Sequence, residues 1–127
     1  MRAELTADAD LSALNSFGVQ ARAAWLARAQ NEAQVLDALA CADQWQLPVQ
    51  VLGGGSNVLI VDDLDALVLL PQLRGIEWLG AAGGRVHVRA AAGENWHAFV
   101  ATTMATGAFG LENLALIPGH VGAAPIQ

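Results

Sequence analysis

The run Val49-Gln50-Val51-Leu52-Gly53-Gly54-Gly55-Ser56-Asn57-Val58-Leu59-Ile60 holds the residues best suited to chemistry. A short apolar strand enters three glycines, a serine and an asparagine, then turns apolar again. Glycine tolerates positive φ and admits close approach to the backbone, so successive N–H groups can converge on an anion. Ser56 and Asn57 add side-chain donors. The combination suits a phosphate or pyrophosphate. The same pattern also makes a tight turn between two strands, because glycine clusters punctuate loops generally. The loop residues alone favour neither reading.

Two better-known phosphate binders are excluded. A P-loop needs lysine after its last glycine, and the chain contains no lysine. The dinucleotide fingerprint needs a glycine where Val58 stands and a helix opening directly behind it. Here Val58-Leu59-Ile60-Val61 runs into Asp62-Asp63 and reads as extended chain or turn.

The second informative stretch is Gly110-Leu111-Glu112-Asn113-Leu114-Ala115-Leu116-Ile117-Pro118-Gly119-His120-Val121-Gly122-Ala123-Ala124-Pro125-Ile126-Gln127. It shows neither helix nor strand periodicity. Small residues between rigid bends let backbone lie flat against a planar ligand, with N–H groups available to its heteroatoms. The competing reading is a buried irregular connection. An end at Gln127 without cap or polar tail makes the segment look cut rather than finished.

Other candidates reduce to structural roles. Glu94 and His97 form half of a di-iron Glu-x-x-His motif, but a second copy and further glutamates are missing. Glu94 is expected to act as a first-turn acid at a helix N-terminus. His87, His97 and His120 lack metal-ligand spacing, so no metal is expected. Asp62, Asp63 and Asp65 lack the glycine and distal glutamate of a calcium loop and read as a solvated turn. Cys41, the single cysteine, lies among alanines in a helical pattern and reads as a buried structural thiol. Trp25, Trp45, Trp78 and Trp96 are expected to pack in the core.

The elements that position these residues follow from periodicity. Ala21–Arg28 reads as a strand, with alanine-rich helix as its competitor. Asn31 is an expected N-cap with Gln34 in the capping-box position, and Val35, Leu39 and Ala42 recur at helical spacing until Pro48 stops the helix. Residues 21–52 therefore form a βαβ-like unit feeding the glycine loop. Beyond Asp65 the short segments Ala66–Leu70, Gly75–Leu79 and Arg85–Ala91 suggest an antiparallel meander. A helix follows Gly93, with Trp96, Phe99, Val100 and Met104 on one face and Gly107 or Gly110 ending it. The division expected is 1–65, carrying the loop, and 66–127, the start of a second unit.

Composition bounds the remaining options. The 127 residues are 54% hydrophobic and 14% charged, with mean hydropathy +0.39, which excludes disorder. No run approaches the roughly 18 apolar residues of a membrane span, and the N-terminus does not read as a secretory signal. Net charge is −6 and the six arginines are dispersed, which argues against nucleic acid. A lone cysteine fits the reducing cytoplasm.

Four segments in order carry a resemblance: Asn15-Ser16-Phe17-Gly18, Leu52-Gly53-Gly54-Gly55-Ser56-Asn57-Val58-Leu59, Gly93-Glu94-Asn95-Trp96-His97 and Gly110 through Gly119. From about Leu14 onward the chain closely resembles the UDP-N-acetylenolpyruvoylglucosamine reductase (UDP-N-acetylmuramate dehydrogenase) family. The resemblance implies an α+β FAD-binding fold of the vanillyl-alcohol-oxidase/p-cresol-methylhydroxylase type, here incomplete. It implies that Gly53, Gly54, Gly55, Ser56, Asn57 and Val58 hold the FAD pyrophosphate. Ile117, Pro118, Gly119, Val121, Gly122, Ala123, Ala124 and Ile126 would line the flavin. The implied reaction passes hydride from NADPH to the flavin and on to the enolpyruvyl group of UDP-N-acetylglucosamine enolpyruvate, giving UDP-N-acetylmuramate for peptidoglycan, cell shape and cell division. The family's serine proton donor, substrate-polarising arginine and catalytic glutamate fall after Gln127, so no catalytic residue carries over. The expectation is a cytoplasmic, monomeric, inactive first third of such an enzyme. Two rivals stand beside it, another flavin oxidase of the same superfamily and a non-enzymatic partner-binding domain.

Overall fold

A computed structural model describes residues 2–126; Gln127, at the expected cut, lies outside them. The chain begins with strand β1 (Glu4–Asp10) and a 3-10 turn at Ser12–Leu14, then β2 (Arg22–Ala29), helix α1 (Glu32–Trp45) and β3 (Val49–Val51). Strands β4 (Leu64–Pro71), β5 (Ile76–Ala82) and β6 (Arg85–Ala90) follow. Helix α2 (Trp96–Ala105) and 3-10 turns at Glu112–Leu114 and Val121–Ile126 close the described chain.

The first sheet has the order β1-β2-β4-β3. Strand β1 pairs antiparallel with β2, while β4 runs parallel to both β2 and β3. The β2-α1-β3 unit is thus a parallel crossover, as the periodicity suggests, but β4 occupies the gap between its strands. This corrects the expected meander: Ala66–Leu70 belongs to the first sheet, and of the three segments expected in it β5 and β6 alone pair antiparallel with each other. The physical reason is burial on both faces. Val68 and Leu70 enter one apolar cluster with Leu26 and Leu52, whereas Leu67 and Leu69 enter another with Ala27, Ala38 and Ala42. A strand covered on two sides needs a continuous apolar run, which parallel sheets typically show.

Helix α1 starts as the sequence predicts, with the Asn31 side chain accepting from Gln34 N–H at 3.0 Å. The Gln34 amide oxygen reaches one residue further back than a capping box requires and accepts from Gln30 N–H at 2.7 Å. The inward face keeps Ala42 and, in part, Val35 as expected, but departs at the two leucines. Gln34, Ala38 and Ala42 are buried, whereas Leu36 and Leu39 are exposed. Small residues let the helix lie close to the sheet, and that outweighs the size of the two leucines. The helix ends with Leu47 N–H donating to Ala42 C=O and Gln46 N–H to Asp43 C=O, a Schellman arrangement. Gln46 takes the left-handed position at φ 54°, and Pro48 follows.

Helix α2 closes the same way, with Ala108 N–H donating to Thr103 C=O and Gly107 N–H to Met104 C=O. Gly107 occupies the left-handed position at φ 80°, so it and not Gly110 terminates the helix. Phe99, Val100 and Thr103 form its buried face, and Met104 is exposed. The expected core role of the tryptophans holds only in part. Trp25 stacks on Trp45 with ring centroids 4.5 Å apart, but Trp45 and Trp78 are both exposed by more than a third. Cys41 is half-buried. No helix among the described residues is long and apolar enough to cross a membrane.

Candidate functional site

The glycine loop follows β3 and is supported from below by the Asn15 segment. Asn15 is buried; its amide nitrogen donates to the carbonyls of Leu11 (2.9 Å) and Val19 (3.1 Å), and its oxygen accepts from Val19 N–H (2.9 Å). The turn so fixed places Ser16 N–H on the Gly55 carbonyl at 2.9 Å. Gly55 sits at φ 69°, and a β-carbon built there would lie 1.9 Å from the Leu14 carbonyl oxygen. Glycine is obligatory at this point for two reasons, conformation and space.

The closing segment is held from the other side by the start of α2. Asn95 caps the helix, its side chain accepting from Ala98 N–H at 2.9 Å. Trp96 N–H donates to Gly119 C=O (3.0 Å), Val121 N–H to Glu94 C=O (2.9 Å) and Gly122 N–H to Ala92 C=O (3.0 Å). Trp96 Nε1 donates to the Leu114 carbonyl at 2.7 Å, and Leu116 N–H donates to His97 Nδ1 at 3.1 Å. Glu94 is not the first-turn acid expected of it. It precedes the cap, accepts from Gly75 N–H at 2.7 Å and pairs with Arg74, tying down the 72–75 turn. That turn packs on Gly93, where a β-carbon would come within 2.7 Å of the Leu73 carbonyl oxygen.

Loop and closing segment meet. A β-carbon on Gly54 would stand 3.1 Å from the Gly119 Cα, and one on Gly53 would stand 3.5 Å from the Ala123 Cβ. Between them opens a cleft of about 280 Å³. Gly53, Gly54, Gly55, Ser56, Asn57 and Val58 line one side, and Gly122, Ala123 and Ile126 the other. Ile117, Pro118, Gly119, Val121 and Ala124 are not in its wall, although Gly119 abuts the loop. Val51, Pro71 and Ala92 complete the lining; none carried a signal in the sequence beyond being apolar or small. Among the described residues, the amides of Gly53, Gly54, Gly55 and Asn57 donate to no protein group. Such a set of N–H groups in a glycine loop suits the oxygens of a diphosphate.

Among the described residues no charged side chain lines this cleft. The groups with displaced pKa values lie elsewhere: the Ser12 N–H holds Asp10 below the usual carboxylate range, the Gly110 N–H does the same for Glu112, and hydrogen bonding to Asp8 raises Arg22. Among the described residues no three of His, Cys, Asp and Glu group as metal ligands. Asp63 accepts from Arg22 N–H at 2.7 Å and anchors the start of β2, a role beyond the solvated turn expected. His120 lies closer to the site than the sequence suggests. It bridges to Asn95, its Nδ1 is buried without a partner, and it lines a second cavity behind Gly53 and Gly54.

Comparison with known proteins accords with this geometry. A family profile described as FAD binding domain matches residues 23–127. The chain belongs to this FAD-binding domain family. Its glycine cradle, bare amides and narrow cleft fit the diphosphate of that family's cofactor. The chain is 51% identical to a UDP-N-acetylenolpyruvoylglucosamine reductase of Pseudomonas fluorescens over 100% of its own length and 38% of the relative's. It is 52% identical to the Pseudomonas putida protein of that name over 92% of this chain and 34% of the relative. The crystal structure of UDP-N-acetylenolpyruvylglucosamine reductase from Thermus caldophilus superposes with TM-score 0.66 at 25% identity, covering 98% of this chain and 41% of that one. The chain therefore spans well under half the length of the relatives it matches. The incomplete α+β FAD-binding fold expected from the resemblance is the fold observed.

Proposed function

We propose that this chain is the FAD-binding N-terminal part of an NADPH-dependent reductase that converts UDP-N-acetylglucosamine enolpyruvate to UDP-N-acetylmuramate in peptidoglycan synthesis. The supporting observation is the cleft: among the described residues the amides of Gly53, Gly54, Gly55 and Asn57 donate to no protein group and line one side of a space whose other side is Gly122, Ala123 and Ile126. Similarity to the reductases over the whole chain supports the same substrate. The amides of Gly53 to Val58 hold the diphosphate, and the Ile117 to Ile126 segment lies along the flavin. FAD supplies hydride-transfer chemistry when bound. The residues here bind, orient and exclude water; none is catalytic. NADPH, the enolpyruvyl sugar and the proton donor meet parts of the protein beyond this chain, and the chain alone is inactive. Strand β4, at the start of the proposed second unit 66–127, hydrogen-bonds into the first sheet carried by the proposed first unit 1–65. The complete protein is a cytoplasmic monomer serving cell shape and division.

The test is a titration of the 15N-labelled chain with FAD. Amide shifts confined to 53–58 and 117–126, with weak affinity, are expected; saturating FAD without shifts there refutes the assignment. Flavin gripped from one side only loses much of its buried surface, so stoichiometric retention through purification contradicts the proposed incompleteness. In the protein containing this chain, NADPH consumption depends on the enolpyruvyl sugar, and the chain alone shows none.

A further inference from the structure

Leu116 is the strained residue of the closing segment. It is a non-glycine at φ 65°, and its side chain is 78% exposed. L-residues rarely adopt this conformation, and an exposed side chain recovers nothing by burial. Polar contacts must therefore hold the backbone. The first turn of α2 supplies them at three points, through Trp96 Nε1 to Leu114 C=O, His97 Nδ1 from Leu116 N–H, and Trp96 N–H to Gly119 C=O. These contacts bracket Ile117 and Pro118.

Only one of the three depends on protonation. A ring nitrogen accepts a hydrogen bond only in the neutral imidazole, whose proton then sits on Nε2. In the cation both nitrogens donate, and Nδ1 would face an N–H. Helix α2 carries no other titratable group. Around it, Glu94 is bound to Gly75 N–H and Arg74, Glu112 to Gly110 N–H, and His120 precedes the last 3-10 turn. Among the described residues no carboxylate forms an ion pair with His97. Nothing there compensates for the bond that protonation removes.

We propose that His97 is a positioning residue: its neutral ring latches Leu116 in the left-handed conformation and so keeps Ile117–Gly119 seated against Gly54. Protonation releases Leu116 and loosens the seat of Gly119 against Gly54. The consequence for flavin rests on the reading of the cleft given above, but the latch itself is measured without flavin.

The experiment records, on the flavin-free chain, the 15N–15N coupling across the Leu116 N–H to His97 Nδ1 bond and the exchange protection of the Leu116 amide. It is run from about pH 8 to about pH 5, the interval in which histidine changes charge. The wild type shows the coupling and an Nε2–H tautomer at the upper end. It loses both at the lower end, with Leu116 protection (corrected for intrinsic exchange) falling about tenfold or more. His97→Asn, whose side-chain oxygen takes over acceptance without titrating, keeps its protection throughout. His97→Leu lacks it throughout while Phe99 and Val100 stay protected. Persistence of the coupling at the acid end, or an equal acid loss in His97→Asn, overturns the proposal. If the latch behaves as stated yet FAD shifts no amide in 53–58, the flavin reading fails and the latch stands.

Discussion

Replacing Gly55 with alanine tests whether the loop is fixed by the segment beneath it. The left-handed backbone at φ 69° alone costs alanine about 1–2 kcal/mol. The added β-carbon would sit 1.9 Å from Leu14 O, 2.8 Å from Leu14 C and 2.9 Å from Asn15 Cα, all backbone atoms. Relief demands a shift of more than about 1 Å between the loop and Leu14, with overpacking costs of about 1–3 kcal/mol. The Ser16 N–H to Gly55 C=O bond goes with it, at about 1 kcal/mol. The total comes to about 3–6 kcal/mol. Gly107→Ala is the control, because Gly107 has φ 80° with nothing within 4 Å of a built β-carbon, and it loses only the conformational share. Urea unfolding followed by tryptophan fluorescence reads both variants, and the larger loss lowers the midpoint by about 1 M or more relative to the control. Equal losses, within about 0.5 kcal/mol, would refute the argument that Leu14 and Asn15 dictate the glycine.

Asn15→Ala leaves two carbonyls and an amide without their side-chain partner, and about 2–4 kcal/mol of stability should be lost in the same assay. Gln46→Gly relieves a non-glycine at φ 54° in the α1 terminus and raises stability by about 0.5–1 kcal/mol, read as a higher urea midpoint. Gly54→Ala sets its β-carbon 3.1 Å from the Gly119 Cα; it weakens FAD-induced amide shifts at 53–58 more than it lowers the urea midpoint. Asp10 and Glu112 are held below the usual carboxylate range by the N–H groups of Ser12 and Gly110. Their contribution is present above the unfolded carboxylate range and fades as pH falls through their own lower values. Carbon-detected titration should place both midpoints below the usual carboxylate range, and Glu112→Gln should remove its share of the acid dependence.

Local signals were legible wherever one residue type satisfies one geometric need. Asn31 caps α1, Gly107, one of two glycines at the expected place, ends α2, and Gly83 and Gly84, both at positive φ, make the β5–β6 turn; the Asn95 cap of α2 is not among the expected ones. Partner choice was not legible. Ala66–Leu70 reads as a strand in any sheet, and nothing in five apolar residues says that it will slide between β2 and β3. The inward face of α1 is set by closeness of approach at Ala38 and Ala42 rather than by side-chain size, which periodicity does not reveal. Strand β1 went unseen because Glu4–Asp10 is largely polar and buries chiefly Ala9 along its length. At the site, the glycine loop announced itself by composition. Its supports did not, since the work of Asn15, Glu94 and His97 depends on backbone groups brought from elsewhere in the chain.

The strand order has a consequence for how the protein is made. On the ribosome, β2 and β3 emerge before the strand that joins them, so β2 waits with one hydrogen-bonding edge bare and β3 with no partner strand until residue 71 is available. Until that insertion the Gly53–Asn57 turn has no floor, because Leu52 N–H bonds to Leu69 of the late strand. A nascent chain halted before Pro71 should therefore be sticky and unable to greet a nucleotide, while one released just after it has its first layer zipped in a single step.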